Sequence, residues 1–135
     1  MLKTECNNPL IIGALSACGH GDKILLVDGN YPLKSKSGGA EKIYLGVTRG
    51  LPTVPQVLKA IYSICPVEKI EAMVPEDGSL SEPLKECIEM LKDIEVTPAG
   101  RWEFYDMASK EDVRVAISTG EGRTYACLLL TVGVS

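Results

Sequence analysis

The residues able to do chemistry are few and spread along the chain. His20, the only histidine, stands between Gly19 and Gly21, and an imidazole can give or take a proton near neutrality. The same residue could instead cap the end of a preceding helix, where a cation meets unpaired carbonyls. Asp28 closes the apolar run Lys23 to Val27. At the carboxyl end of a parallel strand it would face the crevice where open α/β sheets bind ligands, or it would only cap the next turn.

Arg101 follows Gly100 and precedes Trp102, Phe104 and Tyr105. Its planar five-donor fork suits sugar hydroxyls or a carboxylate, although an exposed surface arginine reads the same way. Trp102 and Phe104 are core or interface material. Tyr125 opens a final apolar stretch in which it shares a strand face with Cys127, while Ala126 and Leu128 share the other. The tyrosine hydroxyl is then available to a ligand, or the ring is a half-buried aromatic. Gly19-His20-Gly21 has a G-x-G form, but it precedes a strand and does not open a helix, so it is no dinucleotide fingerprint.

Local signals place the elements around these residues. Asn8-Pro9 is a cap and first-turn proline, and Leu10, Ala14, Ala17 and Cys18 recur at helical spacing, which predicts a helix from about Pro9 to Cys18. Lys23 to Val27 reads as a strand covered on both faces. Residues 29 to 41 are polar and glycine-rich and are expected to form a mobile surface loop.

A strand over Lys42 to Val47 comes next, then a helix opened by the capping box Thr53-Val54-Pro55-Gln56. Lys69 to Val74 is a strand, and Ser81-Glu82-Pro83 opens a helix with the stripe Leu84, Cys87, Ile88 and Leu91. Ile94 to Thr97, Val113 to Ser118 and Tyr125 to Val132 are strands, and Trp102 to Lys110 is a short helix. Six strands alternating with four helices predict an α/β fold, a three-layer α/β/α arrangement around a mixed, mainly parallel sheet. Only Thr119 to Thr124 separates the last two strands, too little for a parallel crossover, so one strand should run antiparallel.

The chain has 135 residues, 45% of them hydrophobic, and is expected to form one domain, residues 1–135. Its net charge of −4 leaves no basic face for nucleic acid or an anionic membrane. No apolar run is long enough to span a bilayer and the first residues are not a signal peptide, so a cytoplasmic location is expected. The five cysteines form no C-x-x-C pair and sit mostly in apolar patterns, as reduced thiols do, and with one histidine they offer no metal site.

Taken in order, Gly19-His20-Gly21-Asp22, Asp28, Tyr31-Pro32, Arg101 with Phe104-Tyr105, Gly120-Glu121, Tyr125 and the terminal Val132-Gly133-Val134 form a pattern. Over almost its whole length the chain resembles the ribose pyranase and fucose mutarotase family. The resemblance implies a cytoplasmic enzyme that interconverts ring forms of a free monosaccharide without metal or organic cofactor. It also implies a homo-oligomer, a decameric ring with sites near subunit interfaces. By motif position His20 corresponds to the proton donor, and Asp28, Arg101 and Tyr125, Ala126 and Cys127 to the sugar-binding positions; Asp28 is also expected to share in catalysis, as the orienting partner of His20 or as a hydroxyl acceptor.

Gly-His-Gly-Asp and the Phe-Tyr pair resemble the fucose branch, which makes L-fucose the expected sugar. D-ribose pyranase activity and a non-catalytic sugar-binding ring are the alternatives. Two positions depart from the pattern: Cys127 stands where the family has asparagine, and Asn30 where the fucose branch has histidine.

His20 and Asp28 flank opposite ends of one strand. Five extended residues cover about 16 Å at roughly 3.3 Å each, too far for both side chains to reach one small sugar. The spacing therefore predicts a composite site, His20 from one subunit facing Asp28, Arg101 and Tyr125 of another.

Overall fold

A computed structural model describes residues 1–135. The elements follow in the order α1 (Pro9–Ser16), β1 (Lys23–Val27), β2 (Glu41–Tyr44), α2 (Val54–Tyr62), β3 (Val67–Met73), α3 (Glu82–Met90), β4 (Glu95–Ala99), α4 (Arg101–Ala108), β5 (Val113–Ser118) and β6 (Leu128–Val132). The sheet order is β2-β5-β1-β6-β3-β4. β6 runs antiparallel to both β1 and β3, and the other neighbours are parallel. This is the mixed α/β architecture that the sequence predicts.

Helix starts follow their capping chemistry. The Asn8 side chain accepts from the Leu10 and Ile11 N–H groups at 2.9 and 3.1 Å, and Thr53 and Gln56 form the reciprocal capping box of α2. The buried face of α1 is shifted from the expected one. Ile11, Ala14 and Leu15 are buried whereas Leu10 is exposed, because an almost uniformly apolar helix leaves its register to the sheet it packs on. The helix also ends at Ser16, with Ala17 as its cap.

Alternate residues of β1 face two cores. Ile24 and Leu26 pack with α1, α2 and α3 on one face. Leu25 and Val27 pack with Phe104, Tyr105 and Ala108 of α4 on the other. Burying a side chain the size of Phe104, which is fully enclosed, stabilises the fold by about 1.5–3 kcal/mol.

The second face is only partly roofed by α4, and residues 29–41 complete it. Up to Ala40, before β2 begins, this segment has no regular structure but is not the open surface loop expected from its composition. Tyr31, Leu33, Ser37 and Ala40 are buried, and the Tyr31 hydroxyl donates to the Lys36 carbonyl at 2.7 Å. Gly38 adopts φ +52, and a Cβ there would lie 2.4 Å from the Ser109 carbonyl oxygen. Polar composition hides this packing because the polar groups bond within the segment while three apolar side chains face the sheet.

Candidate active site

Strand order creates the site. β5 and β6 are not neighbours, because β1 lies between them, so the connection from Thr119 to Cys127 must pass over the carboxyl end of β1. Asp28 stands there, only 3% exposed. Its Oδ1 accepts the Asn30 N–H at 2.9 Å, and its Oδ2 accepts the Ala126 N–H at 3.2 Å and lies 3.4 Å from Cys127 Sγ. Asp28 thus caps its own turn and also holds the crossing segment.

β6 starts at Leu128, later than Tyr125. Tyr125 has φ 54 and is the only non-glycine residue in the left-handed region, so the chain bends sharply before the strand. Its carbonyl accepts the Ser81 hydroxyl at 2.7 Å. The period-two assignment nevertheless holds: Ala126 packs with Leu128 and Leu130 in one core, and Cys127 with Leu129 in the other, against which Tyr125 leans.

Asp28, Asn30, Tyr31, Met73, Arg101, Tyr105, Thr124, Tyr125 and Cys127 line a cleft of about 200 Å³. Arg101 begins α4; its Nε donates to the Tyr105 hydroxyl at 3.0 Å. Its guanidinium stacks 4.8 Å from the Trp102 ring centre and 5.5 Å from that of Tyr105. Resting against this pair of touching rings, whose centres are 5.6 Å apart, the fork is pre-oriented with its terminal nitrogens free to donate. Trp102 is 68% exposed, an outer prop for the arginine, while Phe104 is core.

Four of the five expected sugar-binding residues, Asp28, Arg101, Tyr125 and Cys127, therefore meet in one cleft. Ala126 is fully buried and contributes only its N–H, already given to Asp28. His20 is elsewhere. It sits on the corner before β1, its side chain 58% exposed, and it pairs with Glu68 of β3 through Nε2 at 3.0 and 3.1 Å instead of capping α1.

Burial, and then the charge of Asp28, push the Cys127 thiol well above its ordinary range, so it stays a neutral S–H donor. Burial also raises the Tyr31 phenol, with Cys127 and Tyr105 adding to the effect. A wider polar hollow of about 630 Å³ adjoins the cleft and shares Asn30 and Thr124 with it. Its floor is Gly120, where a Cβ would sit 2.1 Å from the Leu51 carbonyl oxygen; only glycine admits that approach.

Glu121 is the residue whose role sequence reasoning misses. It lies on the polar turn from Thr119 to Tyr125, yet it is 2% exposed. Its carboxylate accepts Arg123 Nε and Nη2 at 2.8 and 2.9 Å and the Val54 N–H at the start of α2 at 3.2 Å. Burial alone raises the Glu121 carboxyl, but the hydrogen bonds from Arg123 and Val54 outweigh it and hold the group below its ordinary range. The one sequence signal was the acid-base pair spaced two apart.

Residues 1–135 match the RbsD / FucU transport protein family. The chain belongs to that family. A D-ribose pyranase of Pseudomonas syringae pv. tomato is 30% identical over 136 residues, covering 99% of this chain and 98% of that protein. A fucose mutarotase of Danio rerio is 33% identical over 141 residues, covering 93% of this chain and 88% of that protein. The structure of Bacillus subtilis RbsD complexed with D-ribose overlays with a TM-score of 0.87 at 28% identity, covering 100% of this chain and 99% of that one.

The family expected from the residue pattern is thus the family found. RbsD / FucU relatives include pyranases and mutarotases, so membership supports ring isomerisation of a sugar and spans both ribose and fucose. No helix of this member is long and apolar enough to cross a membrane.

Proposed function

We propose that the protein is a mutarotase of free monosaccharides, with L-fucose as its preferred substrate, working in the cytoplasm as a homo-oligomeric ring. The observation that carries this reading is the convergence of a buried carboxylate, an arginine resting on two aromatic rings and Tyr125 on one sugar-sized cleft. Mutarotation requires a proton delivered to the ring oxygen and another removed from the anomeric hydroxyl. The open aldehyde then rotates and closes with the proton traffic reversed. A positioned acid/base group that serves the two oxygens in turn suffices, worth about 10²–10⁴-fold, and no metal or organic cofactor is needed.

In this reading Arg101 and Tyr125 hold the hydroxyls, Asp28 accepts one of them, and His20 is the principal acid/base. With three donors already on its carboxylate, Asp28 serves as a fixed anion in the site. His20 comes from a neighbouring subunit, which fits its exposure and its place at the far end of β1. Met73, Tyr31 and Tyr105 give the cleft an apolar wall. Such a wall suits the methyl group of L-fucose, for which D-ribose has no counterpart.

Saturation-transfer NMR of anomer exchange with L-fucose and with D-ribose tests the assignment. Faster exchange of L-fucose is expected, and its loss in His20→Ala. Faster exchange of ribose would move the protein to the pyranase side, and binding with exchange at the buffer rate would make it a sugar-binding ring. Co-expressed His20→Ala and Asp28→Ala subunits should regain part of the activity that each lacks, since a mixed ring contains some intact pairs. Mixed rings as inactive as their parents would remove the composite site.

A further inference from the structure

His20 is presented by a built device. The corner carrying it is tied to β6 by two hydrogen bonds, Gly21 N–H to the Val132 carbonyl at 2.9 Å and Val132 N–H to the Asp22 carbonyl at 2.8 Å. Beside it the ladder between β3 and β6 slips. Val67 pairs with Val132 and Lys69 with Thr131, so Glu68 is an extra residue in its strand. A bulge of this kind re-aims a side chain. Here it directs Glu68 at the imidazole, with both carboxylate oxygens 3.0–3.1 Å from Nε2. Gly133 leaves the room, since a Cβ there would come within 3.2 Å of Glu68 Cβ.

Other charges at this end of the sheet are engaged elsewhere. Asp22 accepts the Gly19 N–H, Lys23 pairs with Glu71 and Asp112, and Lys69 pairs with Glu71. β6 brings no charge to the corner. A carboxylate only accepts hydrogen bonds, so Nε2 must be the donor nitrogen, and Nδ1 has no partner within the chain. An exposed pair of this type contributes only about 0–1 kcal/mol to folding, which leaves a bulge devoted to it without a stability rationale.

We infer that Glu68 is the positioning residue of His20: it holds the ring with Nε2–H bound and presents Nδ1 as the nitrogen that exchanges protons with the sugar. The inference rests on the mutarotase reading for its chemistry. In the neutral ring Nδ1 carries a lone pair and takes the anomeric proton. In the imidazolium the same nitrogen returns a proton to the ring oxygen, while Glu68 stays ionised and bound to Nε2–H. This is the division of labour in which a carboxylate fixes the tautomer and orientation of an acid/base histidine.

Because the chain has one histidine, selective ¹³C/¹⁵N-histidine labelling reports on this ring alone. Glu68→Ala in the intact oligomer is expected to lower the ring order parameter and raise the Nδ1–H population. The same variant should reduce kcat for sugar exchange roughly tenfold, a fraction of the full acid/base contribution, with KM within about twofold and thermal stability unchanged. Glu68→Gln, whose amide oxygen still accepts the Nε2–H, should recover most of both ring order and kcat. Wild-type kcat in Glu68→Ala, or a reduced kcat with unaltered ring order, overturns the inference. Should the wild-type protein exchange neither sugar, the mutarotase reading fails, and ring order alone then decides whether Glu68 positions His20.

Discussion

The Cys127 thiol lies 3.4 Å from Oδ2 of Asp28, a contact between residues 99 apart in the chain. The residue pattern that the chain resembles leads to the expectation of asparagine at this position. An amide there would still donate to Asp28 and would add an acceptor toward the cleft, and one such hydrogen bond is worth about 0.5–1.5 kcal/mol. Cys127→Asn should therefore lower the KM for sugar about fivefold, measured from exchange rates at varied sugar concentration. An unchanged KM would mean that this position does not face the ligand.

Ser81 has two tasks, capping α3 through the Leu84 N–H at 3.3 Å and holding the Tyr125 carbonyl at 2.7 Å. Ser81→Asp keeps a good N-cap but sets a carboxylate against the carbonyl. Thermal stability should fall little while KM rises about tenfold, the cost of roughly one hydrogen bond, and Ser81→Thr should retain both functions. If Ser81→Asp binds sugar as the wild type does, the tether has no role in shaping the cleft.

Glu121 joins the crossing segment to the start of α2. Glu121→Ala leaves the buried Val54 N–H without its partner and should destabilise by about 1–3 kcal/mol. Arg123→Ala strips the cation from that buried carboxylate and should cost at least as much near neutrality, with the penalty shrinking in acid once the carboxyl is protonated. Since the folded protein holds the Glu121 carboxyl below 4.5, its contribution is present above that pH and is lost as pH falls through the lowered value. Urea midpoints for the two variants and the wild type near neutrality and in acid measure this; a Glu121→Ala midpoint equal to that of the wild type near neutrality would refute the capping role.

Alkali should weaken the fold for the opposite reason. Burial, aided by the charges of Glu86 and Glu121, pushes the Cys87 thiol from 9.0 up to about 12. Above pH 9 the unfolded chain releases that proton while the folded one keeps it, so stability falls as pH rises toward 12. Cys127 shifts in the same direction. The urea midpoint of Cys87→Ala should decline less between pH 7 and about pH 10.5 than that of the wild type. Parallel declines would show that this thiol does not contribute.

Much of the fold was legible because its signals are local. Asn8-Pro9, the capping box at Thr53 and the stripe Leu84, Cys87 and Leu91 each place a helix within a few residues of its observed limits. The site was legible in part. Asp28, Arg101, Tyr125 and Cys127 were named from residue type and family pattern, and they line one cleft. Residues 29–41 were misread as a mobile surface loop, and the bond from the Val54 N–H to Glu121 was not foreseen, because composition cannot report a partner distant in sequence.

By itself the sequence determined the elements, the mixed sheet and the chemical inventory of one histidine, an acid at a strand end and an arginine among aromatics. Tertiary structure alone decided that β6 inserts between β1 and β3, that the segment from Thr119 to Cys127 consequently crosses over Asp28, and that His20 faces Glu68 away from the cleft. The reason is physical range: helical and strand periodicity act over a few residues, whereas strand order and bulge position are set by which apolar faces can be buried together across the whole chain.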